Sequence, residues 1–419
     1  MTFIAVAAEY LVFWLLLPFL LLHPRVRQGI RSRLGYYDGL ALPESGPRVW
    51  LHGASAGDVL GLVPIARELK SLRPDARLIV SAITDSGASM ARQRLVPEGL
   101  AQLVTFLPYD LPGACRRAIA ALRPDVLVLE YTELWPQLIE AATAAGVKLA
   151  LTNGRLRPRN VPRYRVLFRL AGNLLARFDV LMMRADEEAE RALLLGAPRE
   201  RVHVTGNTKF DALAVSVPPV EDPALRKALA LGDERLWVCG STHEGEEGGL
   251  LRVFSVLRRE HADLRLLLAP RYIERAQRVL ALARSVGLAA RLRSQPGGKE
   301  PVIVLDTIGE LVRAYQLATV VFVGGSFGRR GGQNILEPAA CGKPVLFGPR
   351  MENFQDSVQV LVGRGGLQVK DPMALLRLLR DLLARPGEIL KLGELAREAV
   401  SSVRGASVRD ARLIAELLP

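Results

Sequence analysis

The sequence predicts an α/β protein of two domains, each built around a parallel, doubly wound sheet. Short runs of Val, Leu and Ile alternate with stretches of helical periodicity, beginning near Arg48 and restarting near Leu236. Between the two series, residues 212–223 end in Val-Pro-Pro-Val-Glu-Asp-Pro, a composition typical of an extended linker. The length of 419 residues also suits two cores better than one.

The individual elements follow from these runs. Predicted strands of the first series lie at 49–52, 78–81, 126–129, 149–152, 180–183 and 202–204, and predicted helices at 59–71, 113–122 and 137–145. Predicted strands of the second series lie at 236–240, 266–269, 302–305, 319–324 and 344–347. Residues 372–418 are predicted to be mostly helical. Repeated βα units of this kind favour parallel sheets.

The N-terminus carries a targeting signal. Residues 3–22 are apolar apart from Glu9 and Tyr10, about the length of a membrane-spanning helix. The stretch lacks the basic start and the small-residue cleavage site of a signal peptide, so a membrane-anchor helix is predicted. Arginines follow at positions 25, 27, 31 and 33, which predicts that the remaining chain stays in the cytoplasm. Glu9 leaves open a helix that lies in the membrane interface.

The net charge of +13 calls for an anionic partner. The basic residues are mostly dispersed arginines without a basic arm or an aromatic-rich run, which argues against nucleic acid. A phosphorylated substrate or an anionic bilayer explains the charge equally well. Cys115, Cys239 and Cys341 show neither metal-ligand spacing nor a disulfide framework, which is typical of a reducing compartment.

The strongest local signal is a glycine-rich segment after the predicted strand at 319–324. Gly324-Gly325-Ser326 is followed by Gly331-Gly332 and by a helix predicted to start near Asn334. Glycine permits close approach of the backbone, and free N–H groups at a helix start attract phosphate. Glu337, one turn later, is placed to accept hydrogen bonds from ribose hydroxyls. The alternative is a strand–turn–helix connection that needs glycine only for its backbone angles.

Charged residues follow three other predicted strands. Asp58 comes after His-Gly-Ala-Ser-Ala-Gly and opens a helix, where it complements the helix dipole or acts as a general base. Glu130 and Glu133 follow the strand at 126–129. Lys209 is placed to steady a leaving phosphate, or else simply pairs with Asp211. These groups predict a polar site at the carboxyl edge of the first sheet.

Taken together, these segments resemble the Kdo transferase family, which adds 3-deoxy-D-manno-octulosonic acid (Kdo) to the lipid A precursor. The resemblance covers essentially the whole chain and implies the GT-B architecture, in which the donor nucleotide binds in the cleft between two Rossmann-like domains. The most specific matching segments are Thr132-Glu133-Leu134-Trp135-Pro136, Asn153-Gly154-Arg155-Leu156, Lys209-Phe210-Asp211, 241–247, 306–311 and the glycine segment ending at Ala340.

The resemblance implies roles for individual residues. Asp58 stands at the place of the family's general base, and Tyr131 and Lys209 at the places of its transition-state stabilisers. The implied CMP-binding residues are Pro270, Arg271, Ile308, Gly309, Glu310, Asn334, Ile335, Leu336 and Glu337. The implied reaction is an inverting displacement in which an acceptor hydroxyl attacks the anomeric carbon of CMP-Kdo. CMP-Kdo is a substrate, and no metal or other cofactor is implied.

The chain departs from the family pattern at four positions. Asp58 replaces a glutamate and is one methylene shorter, and Tyr131 replaces a glutamate outright. Tyr272 and Gln333 stand where the family usually has histidine. Glu130 is adjacent to Tyr131, but neighbouring strand residues point to opposite faces, so Glu130 substitutes only if the strand end twists.

The sequence thus predicts a membrane anchor with its basic flank at 1–35, an acceptor-binding domain at 36–215 and a CMP-sugar donor domain at 224–419. The expected enzyme transfers Kdo to lipid IVA in lipopolysaccharide biosynthesis at the cytoplasmic face of the inner membrane. Its expected partners are a CMP-sugar, a phosphorylated lipid acceptor and the membrane, with no nucleic acid. Two alternatives stay open: a transferase for another CMP-activated acidic sugar or lipid acceptor, and a catalytically silent nucleotide-binding scaffold.

Overall fold

The computed structural model describes residues 29–37, 45–214 and 221–419. The chain divides into two compact units, the first comprising Met1–Ala212 and Arg404–Pro419 and the second Leu213–Val403. The predicted membrane anchor at 3–22 and most of the predicted linker lie outside the described residues. Within the described ranges, no helix has both the length and the apolarity of a transmembrane span.

The first unit is a parallel α/β sheet with helices on both faces. Its strands are β1 (Arg48–His52), β2 (Arg77–Ala82), β3 (Ala101–Phe106), β4 (Val126–Glu130), β5 (Lys148–Gly154), β6 (Val180–Met183) and β7 (Val202–Val204). Its helices up to residue 214 are α1 (Ile30–Arg33), α2 (Ala56–Leu72), α3 (Asp85–Arg94), α4 (Pro112–Leu122), α5 (Pro136–Ala144), α6 (Val161–Ala171), α7 (Asp186–Leu194) and α8 (Thr208–Ala214).

The strand order β3-β2-β1-β4-β5-β6-β7 places the reversal of the sheet between β1 and β4. Both strands are almost wholly buried because each is apolar on both faces. Trp50 and Leu127 belong to the core on one face, while Val49 and Val128 belong to the core on the other. The carboxyl ends of strands at such a reversal form the crevice in which α/β proteins bind ligands.

The second unit repeats this plan. Its strands are β8 (Arg235–Thr242), β9 (Leu264–Pro270), β10 (Ala290–Leu292), β11 (Val302–Val304), β12 (Val320–Val323), β13 (Val345–Phe347) and β14 (Gly366–Gln368), in the order β10-β11-β9-β8-β12-β13-β14. Its helices are α9 (Pro223–Ala228), α10 (Glu247–Glu260), α11 (Ala276–Ser285), α12 (Leu311–Leu317), α13 (Leu336–Ala340), α14 (Gln355–Leu361), α15 (Pro372–Ala384) and α16 (Pro386–Ser402). Here the order reverses between β8 and β12.

The last helix, α17 (Ala406–Ala415), returns to the first unit. Ala411 and Ile414 are fully buried in the core that also holds Val59 and Leu62 of α2. The sequence boundary at 224–419 assigned this helix to the second domain, and the structure corrects that assignment. Apolar periodicity shows that a helix buries one face, but it does not identify the core that receives it.

Candidate active site

The carboxyl edge of the first sheet gathers the predicted catalytic residues at the reversal point. β1 ends at His52 and leads into α2, whose first turn carries Asp58. β4 ends at Glu130, and Tyr131 follows with a φ of 59°. Lys209 lies in the first turn of α8, after β7. The fold therefore brings Asp58, Tyr131 and Lys209 together, as expected from the ends of parallel strands.

Asp58 has two distinct hydrogen-bonding roles. Its Oδ2 accepts hydrogen bonds from the backbone N–H of Ser55 at 2.9 Å and from the Ser55 hydroxyl at 2.7 Å. These contacts cap the N-terminus of α2 and fix the carboxylate. Its Oδ1 lies 3.3 Å from Nζ of Lys209. The side chain remains 19% exposed, so the carboxylate is partly open to solvent.

Lys209 is held between a carboxylate and an aromatic ring. Its Nζ lies 4.5 Å from the ring centroid of Tyr131, within the range of a cation–π contact. Burial lowers the pKa of Lys209, but Tyr131, Glu130 and Asp58 together outweigh burial and raise it. The lysine is therefore protonated at neutral pH. The predicted alternative, a pair with Asp211, is wrong, because Asp211 accepts hydrogen bonds from the N–H groups of Gly405 and Ser407.

Glu130 lies behind the site and is fully buried. Its Oε1 accepts a hydrogen bond from Nδ2 of Asn153 at 3.0 Å. Asn153 also accepts the N–H of Thr208 at 2.9 Å, and the Thr208 hydroxyl donates to the Gly61 carbonyl. Burial raises the pKa of Glu130 well above its usual value, although Lys209 opposes the effect. Glu130 therefore does not supply the exposed carboxylate that Tyr131 lacks.

His52 and Glu133 complete this edge. Burial lowers the pKa of His52 to about 4, so the imidazole is neutral. Nδ1 of His52 lies 3.2 Å from the Ser81 carbonyl, which only accepts, so we assign the proton to Nδ1. Nε2 then faces Oε2 of Glu133 at 4.0 Å. Burial and the nearby Asp58 raise the pKa of Glu133 above its usual value.

The glycine segment of the second unit is closed by a carboxylate of the same unit. Oε1 of Glu246 accepts hydrogen bonds from the N–H groups of Gly325 at 2.7 Å and His243 at 2.6 Å. A Cβ on Gly324 would lie 2.5 Å from this oxygen and 2.6 Å from Cα of Thr242. Gly324 is therefore required for close packing between β8 and β12. The N–H of Gly324 donates to the Gly240 carbonyl at 2.8 Å, so the backbone amides of both glycines are hydrogen-bonded within the unit.

Residues at the end of this segment form a smaller polar group. Nδ2 of Asn334 donates to Oε1 of Glu337 at 3.1 Å, and Oδ1 of Asn334 accepts from the N–H of Leu336. Burial raises the pKa of Glu337, while Asn334 and Arg271 lower it. Ile335 and Leu336 are buried. Helix α13 starts at Leu336, two residues after the predicted start.

The remaining predicted donor residues lie at the same carboxyl edge. Pro270 ends β9, and the next residue, Arg271, is exposed. Ile308 is 86% exposed, and Gly309 has a φ of 83°. Glu310 pairs with Arg293 at 2.9 Å. The structure thus places this set along one sheet edge, with Arg271 close enough to Glu337 to affect its ionisation.

Comparison with known proteins identifies the family. Residues 28–212 match the family model described as 3-deoxy-D-manno-octulosonic-acid transferase. The 3-deoxy-D-manno-octulosonic acid transferase of Chlamydophila psittaci is 30% identical over 87% of this chain and 84% of its own length. The Haemophilus influenzae transferase is 30% identical over 92% of this chain and 90% of its own. The chain belongs to the Kdo transferase family of glycosyltransferases.

Solved structures show the same fold at low sequence identity. UDP-GlcNAc 2-epimerase from Neisseria meningitidis has a TM-score of 0.59 at 14% identity, covering 88% of this chain and 99% of its own. A glycosyltransferase from Rickettsia africae has a TM-score of 0.56 at 13% identity, covering 89% of this chain and 98% of its own. The two parallel-sheet domains therefore match GT-B neighbours, as the sequence predicted.

The candidate site also contains residues to which the sequence analysis assigned no role. Asn153 and Thr208 connect Glu130 to α2, and Glu246 holds the glycine segment. Asn153 has a φ of 51°, an uncommon backbone conformation outside glycine. In the sequence, only the position of these residues in short motifs at strand ends indicated a role in the site. The pairings themselves span 55 and 79 residues, which no local pattern reveals.

Proposed function

We propose that this protein transfers Kdo from CMP-Kdo to the lipid A precursor during lipopolysaccharide biosynthesis. Family membership supports the reaction class. The observation that carries the proposal is the 3.3 Å pair between Oδ1 of Asp58 and Nζ of Lys209 at the carboxyl edge of the first sheet. A base beside a fixed cation suits a reaction in which a hydroxyl attacks while an anionic group departs.

Asp58 acts as the general base in this proposal. The hydrogen bonds from Ser55 hold Oδ2, and Oδ1, which also faces Nζ of Lys209, receives the proton of the acceptor hydroxyl. The hydroxyl oxygen then attacks the anomeric carbon of the donor, the bond to the CMP oxygen breaks, and the configuration inverts. Aspartate is shorter than the glutamate of the family, but the contacts with Ser55 fix its carboxylate. A fixed position supports the role of base, because a general base must be held within hydrogen-bond reach of the proton that it removes.

Lys209 stabilises the negative charge of the reacting groups. Its raised pKa keeps the ammonium charged, and the ring of Tyr131 beneath it limits its movement. Tyr131 takes the place of a family carboxylate, so Asp58 is the carboxylate in direct contact with Lys209 among the described residues. We therefore expect catalysis to depend on the carboxylate of Asp58, paired with Lys209.

Donor binding is assigned to the second unit. Glu337, oriented by Asn334, suits the ribose hydroxyls, and Arg271 suits the phosphate. We propose that the transfer takes place at the cytoplasmic face of the inner membrane, as the predicted anchor and the basic composition suggest. No metal or cofactor is part of the proposed reaction.

The direct test uses the full chain in detergent with CMP-Kdo and the tetra-acyl lipid A precursor. We expect mass spectrometry to show the lipid with one or more added Kdo residues. A wild-type protein that binds CMP but yields no such product would overturn the proposal and favour a silent nucleotide-binding scaffold.

A second candidate donor is another CMP-activated acidic sugar. Gln333 replaces the histidine expected from the family, and its Nε2 lies 3.2 Å from Nε2 of His243. This altered pair lies beside the glycine segment, where it bears on donor choice. Competition between CMP-Kdo and CMP-N-acetylneuraminate in the same assay distinguishes the two donors, because the true donor is consumed first.

A further inference from the structure

Two loops at the carboxyl edge of the second sheet enclose a basic cavity. Residues 324–335 follow β12 and residues 348–354 follow its parallel neighbour β13, so both loops start from the same edge. The cavity between them has a volume of about 320 Å³, which is enough for a sugar ring. It is lined by Arg329, Arg330, Gly331, Arg350, Glu352 and Asn353.

Backbone hydrogen bonds hold the two loops together. The N–H of Arg350 donates to the Ser326 carbonyl at 2.9 Å. The N–H of Asn353 donates to the Gly331 carbonyl at 3.0 Å, and Nδ2 of Asn353 donates to the carbonyl of Arg330 at 3.0 Å. Gly331 has a φ of 77°, and a Cβ there would lie 2.4 Å from Nδ2 of Asn353. The backbone that carries the arginines is therefore fixed.

The cavity carries more positive than negative charge. Three arginines and one glutamate line it. Nη1 of Arg350 lies 3.5 Å from Oε1 of Glu352, so this arginine offsets that carboxylate. Arg329 and Arg330 are exposed, and among the described residues their side chains form neither a hydrogen bond nor an ion pair. Two guanidinium groups are thus available to an anion.

The cavity lies near the residue proposed for the donor phosphate. Burial lowers the pKa of His243, and the charges of Arg330 and Arg271 lower it further, so both arginines lie near this imidazole. His243 in turn lies against the glycine segment, because a Cβ on Gly325 would be 3.1 Å from Cδ2 of its ring. Arg271 is the residue proposed for the phosphate. Arg330 therefore lies on the same part of the sheet edge.

We propose that this cavity binds the carboxylate of an acidic donor sugar, with Arg330 and Arg329 as its contacts. The inference rests on the proposed function, in which CMP-Kdo is the donor. Kdo carries its carboxylate on the anomeric carbon, which is also bonded to the phosphate oxygen, so the two anionic groups need neighbouring sites. Arginine binds a carboxylate through charge-assisted, bidentate hydrogen bonds. The cavity thereby favours acidic sugars over neutral ones.

A phosphate of the lipid acceptor offers similar chemistry to the arginines. The donor is favoured because the arginine-bearing loop continues into Asn334 and Glu337, the residues proposed for the donor ribose. The proposed base Asp58, which receives the acceptor proton, belongs to the first unit.

The test compares the affinities of the full chain for CMP-Kdo and for CMP, measured by calorimetry in detergent without acceptor lipid. CMP lacks the carboxylate, so the difference between the two ligands reports contacts with the sugar. The variant carries Arg329→Gln and Arg330→Gln. The matched control is Arg364→Gln, because Arg364 is exposed and precedes β14, at the opposite edge of the sheet.

We expect the double variant to bind CMP-Kdo at least about 10-fold more weakly than wild type, with an unchanged Kd for CMP. The control should match wild type for both ligands, and matching thermal unfolding shows that the variants fold. An unchanged affinity of the double variant for CMP-Kdo, or an equal loss for CMP, would overturn the inference.

Transfer assays on the same proteins separate the remaining outcomes. If the double variant binds CMP-Kdo normally and only its KM for the lipid A precursor rises, the cavity binds a lipid phosphate and the inference is wrong. A wild type that binds CMP-Kdo more tightly than CMP through these arginines, but transfers no sugar, would refute the proposed function and support the inference.

Discussion

Burial and the neighbouring groups have opposite effects on the pKa of Lys209. Replacing it by methionine keeps the aliphatic stem but removes the cation that faces Asp58 and Tyr131. We expect Lys209→Met to lower the transfer rate by about 10²–10³-fold. In other enzymes, removal of one group that stabilises transition-state charge costs about this much in kcat. The measurement is kcat for Kdo transfer.

Lys148 provides the matched control for this change. It forms a comparable ion pair with Asp179 at 3.1 Å, but it starts β5 and is 52% exposed. Lys148→Met should leave kcat unchanged. Equal losses in the two variants would show that the effect is general destabilisation, not loss of a charge at the site.

Tyr131 raises the pKa of Lys209, whose ammonium lies over its ring. Of the groups that raise the pKa of Lys209, Tyr131 is the largest, so Tyr131→Phe should lower that pKa. A lower pKa means that the ammonium loses its proton at lower pH. We therefore expect the alkaline limb of the pH–rate profile to move to lower pH in Tyr131→Phe, and an unmoved limb would contradict this role.

Among single residues, the sequence predicted site residues whose location depends only on their place in the chain after a strand. Asp58 and Lys209 follow strand ends, and parallel strands bring their carboxyl ends to one edge. The sequence did not predict that Glu130 would remain buried beside Asn153. Burial of that carboxyl depends on contacts with Gly53 and Gly61, which approach from other elements.

At the scale of elements, Gly324 determines how the glycine segment meets β8. A Cβ there would meet the backbone of Thr242 and the carboxylate of Glu246 within 2.6 Å. We expect Gly324→Ala to cost about 1–3 kcal/mol of the free energy of unfolding and to weaken CMP binding. Gly328→Ala is the control, because a Cβ at Gly328 has no atom within 4 Å. The measurements are chemical denaturation and CMP titration, and an equal response of the two variants would contradict this packing role.

Helix α17 is held in the first unit by a buried acid. The Thr152 hydroxyl donates to Asp410, and burial raises the pKa of Asp410 to about 7. Because the folded-state pKa exceeds that of an exposed aspartate, this group's stabilisation is lost as pH rises through about 7. Asp410→Asn cannot ionise, so its stability relative to wild type should increase between pH 5 and pH 8. The increase is at most roughly 3 kcal/mol, because about two pKa units of the shift lie above pH 5.

Thermal and denaturant unfolding across this pH range measure the effect. Asp186→Asn, an exposed change on α7, is the control and should show no such trend. A constant difference between Asp410→Asn and wild type at all pH values would show that Asp410 does not titrate in the folded protein.

Element prediction succeeded where strands are buried on both faces. The central strands β1, β4, β8 and β12 are apolar runs, and the sequence placed each within two residues of its observed bounds. The edge strands β3, β10 and β14 were missed. In β3, Gln102 and Thr105 interrupt the apolar residues without a regular alternation, while the other two strands have only three residues each, too few for a pattern.

At the scale of the whole molecule, the repeated βα series predicted two sheets, and both were found. The return of α17 to the first unit was not predicted, because its partner surface on α2 lies more than 300 residues earlier. Only the family resemblance, not the periodicity, predicted a CMP-activated sugar as the donor, and that assignment stays a prediction. The firm conclusion is a GT-B member of the Kdo transferase family, and the catalytic assignments stay predictions.

The most direct test of the central claim compares Asp58→Asn with wild type. Transfer of Kdo from CMP-Kdo to the tetra-acyl lipid A precursor is measured by mass spectrometry, with the Kd for CMP measured in parallel. If Asp58 is the base, Asp58→Asn loses about 10²–10⁴-fold in rate, while its Kd for CMP stays unchanged. Transfer at the wild-type rate by Asp58→Asn would contradict the account.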